Sequence, residues 1–279
     1  MTASSGKLRV AGATLHFTVR GAGPVLLFIH GSIADSGVYG PLAGLLADRF
    51  TVVTYDRRGY LRSPLDAAPA PMVMAEQSED ASRILDEVGA QRACVFGSSG
   101  GALIGLDLLA AHPDRVAGLV AHEPPVLSLL PEQAELLSFI AGLTESADRD
   151  GAPAAAEALL ARLLPAQEEP EFEPGFDWDP DFAARMADNS AYWFSHEVGP
   201  GFAYRPDLAA LAGCADRLLL GVGAISAAWP AARAAAALGE AVGSQTVVFP
   251  GGHTGYLTRP RAFHDKLVEV LAGAGWTEY

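Results

Sequence analysis

The chain has 279 residues, half of them hydrophobic and 19% charged, which is typical of a globular protein that buries a core in one or two domains. Its net charge of −14 disfavours nucleic acid and anionic membrane surfaces as partners, because both repel an acidic protein. Residues 1–10 contain no apolar run and no stretch is long enough to span a membrane, so we expect a cytoplasmic protein.

Short apolar strands alternate with helices along the first part of the chain. The predicted strands are 8–10, 14–19, 25–29, 51–55, 93–96 and 116–121, and the predicted helices are 38–49, 72–88 and 103–112. The strands from residue 25 onward are continuous apolar runs, as expected of parallel strands that are covered on both faces. The first two strands lie on either side of Gly12 and predict an opening hairpin.

The composition changes between residues 125 and 205. Residues 131–165 are rich in alanine and leucine and predict two or three amphipathic helices, whereas 168–180 is acidic, rich in proline and predicted to be irregular. Nine of the 23 aromatic residues lie between Phe172 and Tyr204. This crowding predicts a lid over an apolar site, although the same aromatic residues could form a small core that only holds the segment together.

Strand–helix alternation returns after residue 205, with strands at 217–222 and 245–249 and helices at 230–238 and 260–271. We therefore predict an α/β core made of residues 1–124 and 206–279, with 125–205 as a helical lid. Such alternation builds a parallel sheet with helices on both faces and with functional sites at the carboxyl ends of its strands. The polar and apolar residues that directly follow the predicted strands should share that edge: His30, Asp56, Ser99, Glu123, Ile225 and His253.

The sequence around Ser99 has the pattern Gly-x-Ser-x-Gly, from Gly97 to Gly101, between a predicted strand and a predicted helix. A strand, a sharp turn and a helix in this order expose the central serine hydroxyl on a strained corner, as a nucleophile requires. The following helix directs its free N–H groups at the reacting centre. The alternative is a structural turn of glycine and serine, because a single five-residue pattern is weakly specific.

Four segments together resemble the α/β-hydrolase superfamily: His30-Gly31, residues 55–59, residues 97–101 and Gly252-His253. The resemblance covers nearly the whole chain and implies a mostly parallel eight-stranded sheet with helices on both faces and a helical lid. It also implies a catalytic triad in the order serine, acid, histidine, which Ser99 and His253 obey. One departure is minor, since Leu61 stands where the second loop usually carries another glycine.

The triad acid is the more informative departure from the superfamily pattern. An Asp or Glu usually follows the strand that is 217–222 here, but residues 221–228 contain no carboxylate. The run from Gly97 to Pro124 is similar to the fungal lactonases that open the macrolactone zearalenone, and that similarity implies a Ser–Glu–His triad with Glu123 as the acid. Uncharacterised actinobacterial α/β-hydrolases share the same run. The alternative role for Glu123 is a structural carboxylate that pairs with an arginine or caps the following turn.

The superfamily pattern also suggests how the oxyanion is bound. The backbone N–H of Gly100 and one N–H from the loop that begins at Gly31, with Ser32 as the expected donor, would hold the developing negative charge. Asp56 and Arg58 are predicted to form a structural pair that braces this loop.

Four side chains are predicted to contact the substrate: Trp178, Trp193, Ile33 and Ile225. We expect a serine hydrolase that cleaves an ester or lactone of a bulky, mostly apolar small molecule, with a zearalenone-like macrolactone as the specific expectation. No metal or organic cofactor is expected, and monomer and homodimer both remain open. Two alternatives stand beside this prediction. One is a C–C hydrolase or non-hydrolytic enzyme of polyketide tailoring, since one fold hosts many chemistries, and the other is a non-catalytic binder of an apolar ligand.

Overall fold

The computed structural model describes residues 3–163, 172–176 and 179–277. Within these ranges one sheet contains eight strands, namely Ser4–Val10 (β1), Ala13–Arg20 (β2), Val25–Ile29 (β3), Thr51–Tyr55 (β4), Ala93–Ser98 (β5), Val116–His122 (β6), Leu218–Gly223 (β7) and Gln245–Phe249 (β8). Their order is β1-β2-β4-β3-β5-β6-β7-β8. The β1–β2 and β2–β4 pairs are antiparallel and every other pair is parallel. The predicted α/β fold with a mostly parallel eight-stranded sheet is confirmed.

The described helices are Gly40–Leu46 (α1), Met74–Glu87 (α2), Gly100–Ala111 (α3), Gln133–Asp150 (α4), Ala152–Leu163 (α5), Phe182–His196 (α6), Val198–Ala203 (α7), Leu208–Ala212 (α8), Pro230–Val242 (α9), Gly255–Thr258 (α10) and Pro260–Gly273 (α11). The helix predicted at 38–49 is instead a 3-10 turn followed by α1. Pro41 explains the break, because proline has no N–H to donate and fits only the first turn of a new helix. None of these helices is long and apolar enough to cross a membrane.

Two hydrophobic cores cover the two faces of the sheet. On one face, Leu27 and Ile29 of β3 pack with side chains of α2, α3 and α9. On the other face, Leu26 and Phe28 of the same strand pack with side chains of α1 and α11. Successive residues of a strand point to opposite faces, so a strand buried on both faces must be apolar throughout. This explains why the central strands are continuous apolar runs in the sequence.

Helices α4 to α7 lie between β6 and β7 in the chain and form a third hydrophobic cluster. Leu136 of α4, Leu159 of α5 and Trp193 of α6 are buried there, together with Ile33 from the loop that follows β3. The segment 125–205 therefore has its own small core, and that core also packs on the loop at the carboxyl edge of the sheet. Trp178, a predicted substrate contact, lies outside the described residues.

Candidate active site

The turn at Ser99 has the geometry that its sequence predicts. β5 ends at Ser98, Ser99 has φ 54° and ψ −123°, and α3 begins at the next residue. A side chain at Gly97 would collide with the Gly101 carbonyl, and one at Gly101 would collide with the Ile29 carbonyl, so both positions require glycine. A positive φ at a non-glycine residue is strained and is typical of functional sites. The strain here turns Ser99 sharply out of the strand.

Glu123 and His253 are directly hydrogen-bonded, although they are far apart in sequence. The Nδ1 atom of His253 lies 2.7 Å from Oε2 of Glu123. Because a carboxylate can only accept, the imidazole proton must be on Nδ1, which leaves Nε2 as an acceptor. The sheet register also brings Ser99 close to Glu123, since Ser98 of β5 pairs with His122 of β6, the residue before Glu123. Glu123 itself has a positive φ of 48°.

The second carboxylate oxygen of Glu123 is held by the loop that follows β7. The N–H of Gly223 donates to Oε1 at 2.8 Å, and the buried hydroxyl of Ser226 donates to the same oxygen. Burial alone would raise the pKa of Glu123, but the hydrogen bond and charge of His253, together with His122 and Ser226, lower this pKa to about 2. Glu123 therefore stays a carboxylate at any physiological pH.

Ser226 was not predicted from the sequence. It lies in the stretch where the superfamily usually carries the triad acid, and its hydroxyl contacts the acid that β6 supplies instead. The sequence signal that could have indicated it is the absence of a carboxylate after β7, which leaves a polar residue of that stretch free to contact an acid from β6. Its neighbour Ile225, predicted to contact the substrate, has 48% of its surface exposed and lies outside the described lining of the cavity beside Ser99.

His122 is a buried neutral neighbour of this hydrogen-bonded pair. Its ring lies against Phe249 and Phe263 and 6.4 Å from the ring of His253, centroid to centroid. Neither of its ring nitrogens has a hydrogen-bond partner among the described residues. Burial lowers the pKa of His122 to about 4, although the Glu123 charge opposes the shift. The ring thus adds no positive charge beside His253 near neutral pH.

The loop after β3 packs directly against the serine turn. A Cβ placed on Gly31 would lie 3.1 Å from the Cβ of Ser99, and one placed on Gly100 would lie 3.5 Å from the backbone nitrogen of Ser32. Gly100 is the first residue of α3, and the first N–H groups of a helix have no partner within it. The backbones of Ser32 and Gly100, the two predicted oxyanion donors, are therefore close together.

His30 holds this loop in place from below. Its Nε2 accepts the N–H of Arg57 at 3.0 Å, so the other ring nitrogen carries the proton and donates to the Gly31 carbonyl at 2.9 Å. Complete burial and the nearby charge of Arg57 lower the pKa of His30 to about 3. The neutral ring can therefore act as donor and acceptor at once over the functional pH range.

Residues of α6 also hold the loop that carries Ser32. Asn189 donates to the carbonyl of Ile33 at 3.1 Å, and Arg185 forms an ion pair with the buried Asp35 at 2.8 Å. Ile33 has a positive φ of 53°, an uncommon conformation for a β-branched residue. These contacts stabilise a strained loop conformation from the side of the 125–205 segment.

A buried ion pair joins the 125–205 segment to the loop after β4. Arg57 binds the Glu197 carboxylate through both terminal nitrogens, at 3.0 and 2.9 Å, and the Tyr60 hydroxyl donates to the same carboxylate at 2.7 Å. Burial alone would lower the pKa of Arg57, but Glu197 and Tyr60 raise this pKa above its usual value. Both charges are therefore retained in the interior.

The predicted pair between Asp56 and Arg58 is wrong. Asp56 instead binds Arg62, at 2.7 Å, whereas Arg58 binds Asp80, also at 2.7 Å. Each carboxylate and guanidinium therefore has a partner outside the pair. Leu61 lies in that turn with a φ of 37°, which explains why glycine is usual at this position.

Ser99 and His253 open on one cavity of about 290 Å³. Its described walls are mostly apolar and include side chains from α5, α6 and α7 as well as from the core: Ile33, Val38, Leu159, Leu163, Phe182, Met186, Trp193, Phe202 and Leu257. No Asp, Glu, Lys or Arg is among the described residues that line it. Trp193 and Ile33, two of the predicted substrate contacts, lie at the wall of this cavity.

The Ser99 hydroxyl makes no hydrogen bond to His253 within the described part of the chain. Catalytic hydrogen bonds are often long in the absence of substrate and shorten when it binds. Across the same described ranges, no group of three or more His, Cys, Asp or Glu side chains is arranged to hold a metal ion.

Comparison with known proteins identifies the family. Residues 24–180 match the model of the alpha/beta hydrolase fold family. The chain is also 34% identical, over 97% of both chains, to the uncharacterized hydrolase YraK of Bacillus subtilis. It therefore belongs to the α/β-hydrolase family.

Solved structures similar to this fold include two enzymes of stated activity. A thermophilic esterase from Thermogutta terrifontis has a TM-score of 0.74 at 21% identity, covering 97% of this chain and 99% of the esterase. The enol-lactonase from Burkholderia xenovorans LB400 has a TM-score of 0.69 at 22% identity, covering 96% of this chain and 100% of the lactonase. At these identities the likeness shows the shared fold.

Proposed function

We propose that the protein is a serine hydrolase that cleaves an ester or lactone of a bulky, mostly apolar, uncharged small molecule. The observation that carries the proposal is the hydrogen bond between the buried Glu123 and His253, since His253 and Ser99 line the same apolar cavity. An imidazole with a fixed Nδ1–H and a free Nε2, next to a serine on a strained turn, is the arrangement that nucleophilic acyl transfer requires.

The reaction would begin when the Ser99 oxygen attacks the carbonyl carbon and its proton moves to Nε2 of His253. Glu123 would hold the ring orientation and stabilise the imidazolium that forms. The N–H groups of Gly100 and Ser32 would bind the oxyanion of the tetrahedral intermediate. That intermediate would expel the alcohol, which takes the proton from His253, and leave an ester on Ser99. Water, deprotonated by the same imidazole, would then release the acid.

The cavity supports the substrate class. An apolar wall without charged side chains favours a neutral molecule with a large hydrophobic surface, because a charged group would lose its hydration there without a partner. Its volume of about 290 Å³ suits a compact ligand rather than a long chain. Within this class our specific proposal is a zearalenone-like resorcylic macrolactone. The esterase and enol-lactonase neighbours are consistent with ester or lactone chemistry on this fold.

We further propose that 125–205 is a lid, since α6 and α7 contribute Trp193 and Phe202 to the cavity wall. Residues of this segment would exclude water and enclose the apolar substrate.

A fluorophosphonate probe and a nitrophenyl butyrate assay test the nucleophile. Ser99→Ala should abolish both labelling and turnover with the fold intact. Ser98→Ala is the matched control, because the neighbouring hydroxyl is buried and has no hydrogen-bond partner among the described residues. Labelling that survives in Ser99→Ala would refute the role of Ser99.

Product analysis with a macrolactone separates hydrolysis from the alternatives. Hydrolysis adds the mass of one water and yields an acid and an alcohol on one opened chain. An isomer of unchanged mass would indicate a non-hydrolytic enzyme. Binding of the lactone without any turnover or labelling would indicate a binding protein.

A further inference from the structure

A second, much smaller cavity of about 20 Å³ lies beside the oxyanion loop and is called the side cavity here. Ser32, Gly100, Arg57 and Glu197 are among the residues that line it. It shares Ser32, Pro125, Trp193 and Phe202 with the large cavity, so the two spaces adjoin next to the oxyanion donors. A space of this size holds about one water molecule or one hydroxyl group.

Arg57, which lines the side cavity, has a buried donor without a partner in the described part of the chain. Only 1% of its surface is exposed, and its terminal nitrogens are engaged by Glu197, with weaker contacts at 3.4 Å to Gln77 and to the Gly31 carbonyl. Its Nε–H has no hydrogen-bond partner among the described residues. A buried donor without a partner is costly, so such groups usually face a water or a ligand atom.

The charges around the side cavity limit what it can receive. Glu197 neutralises Arg57 through a two-point ion pair, so an anionic ligand would gain little and would lose its hydration. The carboxylate is already satisfied by the two Arg57 contacts and by Tyr60. What remains is one N–H donor, which selects a neutral oxygen acceptor.

We propose that the side cavity is a substrate subsite for one neutral oxygen, a hydroxyl or carbonyl oxygen on the acyl part of the substrate, bound by the Nε–H of Arg57. This rests on the proposed function, because the reacting carbonyl is placed by the proposed oxyanion donors Ser32 and Gly100, which also line the side cavity. The preferred substrates are then oxygenated acyl esters or lactones, rather than pure hydrocarbon ones.

Two pairs of nitrophenyl esters test the subsite, since each pair differs only by a hydroxyl in place of a methyl. The pairs are lactate with isobutyrate, and β-hydroxybutyrate with isovalerate. The measured quantity is the ratio of kcat/KM for the hydroxyl ester to that for the methyl ester. Comparing this ratio between protein variants cancels the intrinsic reactivity of each ester.

Gly201→Ala fills the side cavity without disturbing its charges. Gly201 lines this cavity in α7, and a Cβ there would meet only the terminal methyl of Met72, at 3.7 Å. The helix should tolerate or gain from alanine, so the variant should fold. Gly199→Ala is the matched control, because Gly199 is exposed on the same helix and a Cβ there meets nothing within 4 Å.

We expect Gly201→Ala to lower the ratio roughly ten- to hundred-fold in at least one ester pair, and Gly199→Ala to leave it unchanged, since a hydrogen bond from a charged donor is lost. Equal ratios in all three proteins would overturn the subsite, and so would equal losses for both members of each pair. Absence of turnover of every ester by the unmodified protein would instead refute the hydrolase proposal on which the subsite rests.

Discussion

Replacing Glu123 with glutamine should lower kcat by about four orders of magnitude while leaving the fold intact. All the groups that face the carboxylate are donors: His253 at one oxygen, and Gly223 and Ser226 at the other. Glutamine has one acceptor oxygen and one NH₂ group, so its NH₂ group must face one of these donors, and two donors cannot bond to each other. The Gly223 N–H is fixed in the backbone, whereas an imidazole can change tautomer.

The amide oxygen should therefore remain on the Gly223 side and the NH₂ group should face His253. The NH₂ group then donates to Nδ1 of His253, so the imidazole proton lies on Nε2. A protonated Nε2 can no longer accept the proton of Ser99. Steady-state hydrolysis of nitrophenyl butyrate measures kcat, and circular dichroism confirms that the variant is folded. A kcat within ten-fold of that of the unmodified protein would show that Glu123 is not the triad acid.

Ser226→Ala refines this test, because the hydroxyl of Ser226 contacts Glu123 and the Gly223 carbonyl, and Ser226 is not among the described residues that line the cavity beside Ser99. Loss of one buried hydrogen bond to the carboxylate should reduce kcat about ten-fold in the otherwise unmodified protein. In the Glu123→Gln background the same change should have little further effect, since residues that act as a unit are not additive. Fully additive losses would contradict the positioning role.

Three further substitutions test the packing and charge around the site. Between its ordinary pKa of 6.5 and about 4, His122 is protonated only in the unfolded chain, so stability decreases as the pH is lowered through this range. His122→Phe should therefore raise Tm more at about pH 5 than at about pH 8, and equal shifts would contradict this. Arg57→Met leaves Glu197 buried and unpaired and should cost about 3–5 kcal/mol in urea unfolding, with partial recovery on adding Glu197→Gln; no recovery would argue against the ion pair as the cause. Gly101→Ala places a methyl on the Ile29 carbonyl and should lower Tm strongly, so an unchanged Tm would refute the close approach.

The sequence was sufficient for the fold because the relevant signals are local. A strand buried on both faces is a continuous apolar run, and the turn at Ser99 needs glycine on each side, so both features can be predicted from a few adjacent residues. Glu123 could be proposed as the acid because residues 221–228, where the superfamily usually carries it, contain no carboxylate, and this absence is visible in the sequence.

Partners that are distant in sequence could not be predicted in this way. Arg57 and Glu197 are 140 positions apart, and nothing in the pattern around either residue indicates the other. The loop after β7 could not be predicted either. Ile225 was expected to contact the substrate but is half exposed, whereas the hydroxyl of the next residue, Ser226, bonds to Glu123. A one-residue difference in a loop reverses which side chain faces the site, and only the three-dimensional path of the backbone decides it.

The anchoring of the Ser32 loop by α6 links access to chemistry. Asn189 donates to the Ile33 carbonyl and Arg185 pairs with Asp35. An outward shift of α6 that admits a wider substrate would therefore break both contacts. The amide that would stabilise the negatively charged intermediate then loses its support at the same moment. Acceptance of larger substrates and fast turnover are thus opposed in this fold. Variants selected to accept larger substrates should hydrolyse small substrates more slowly.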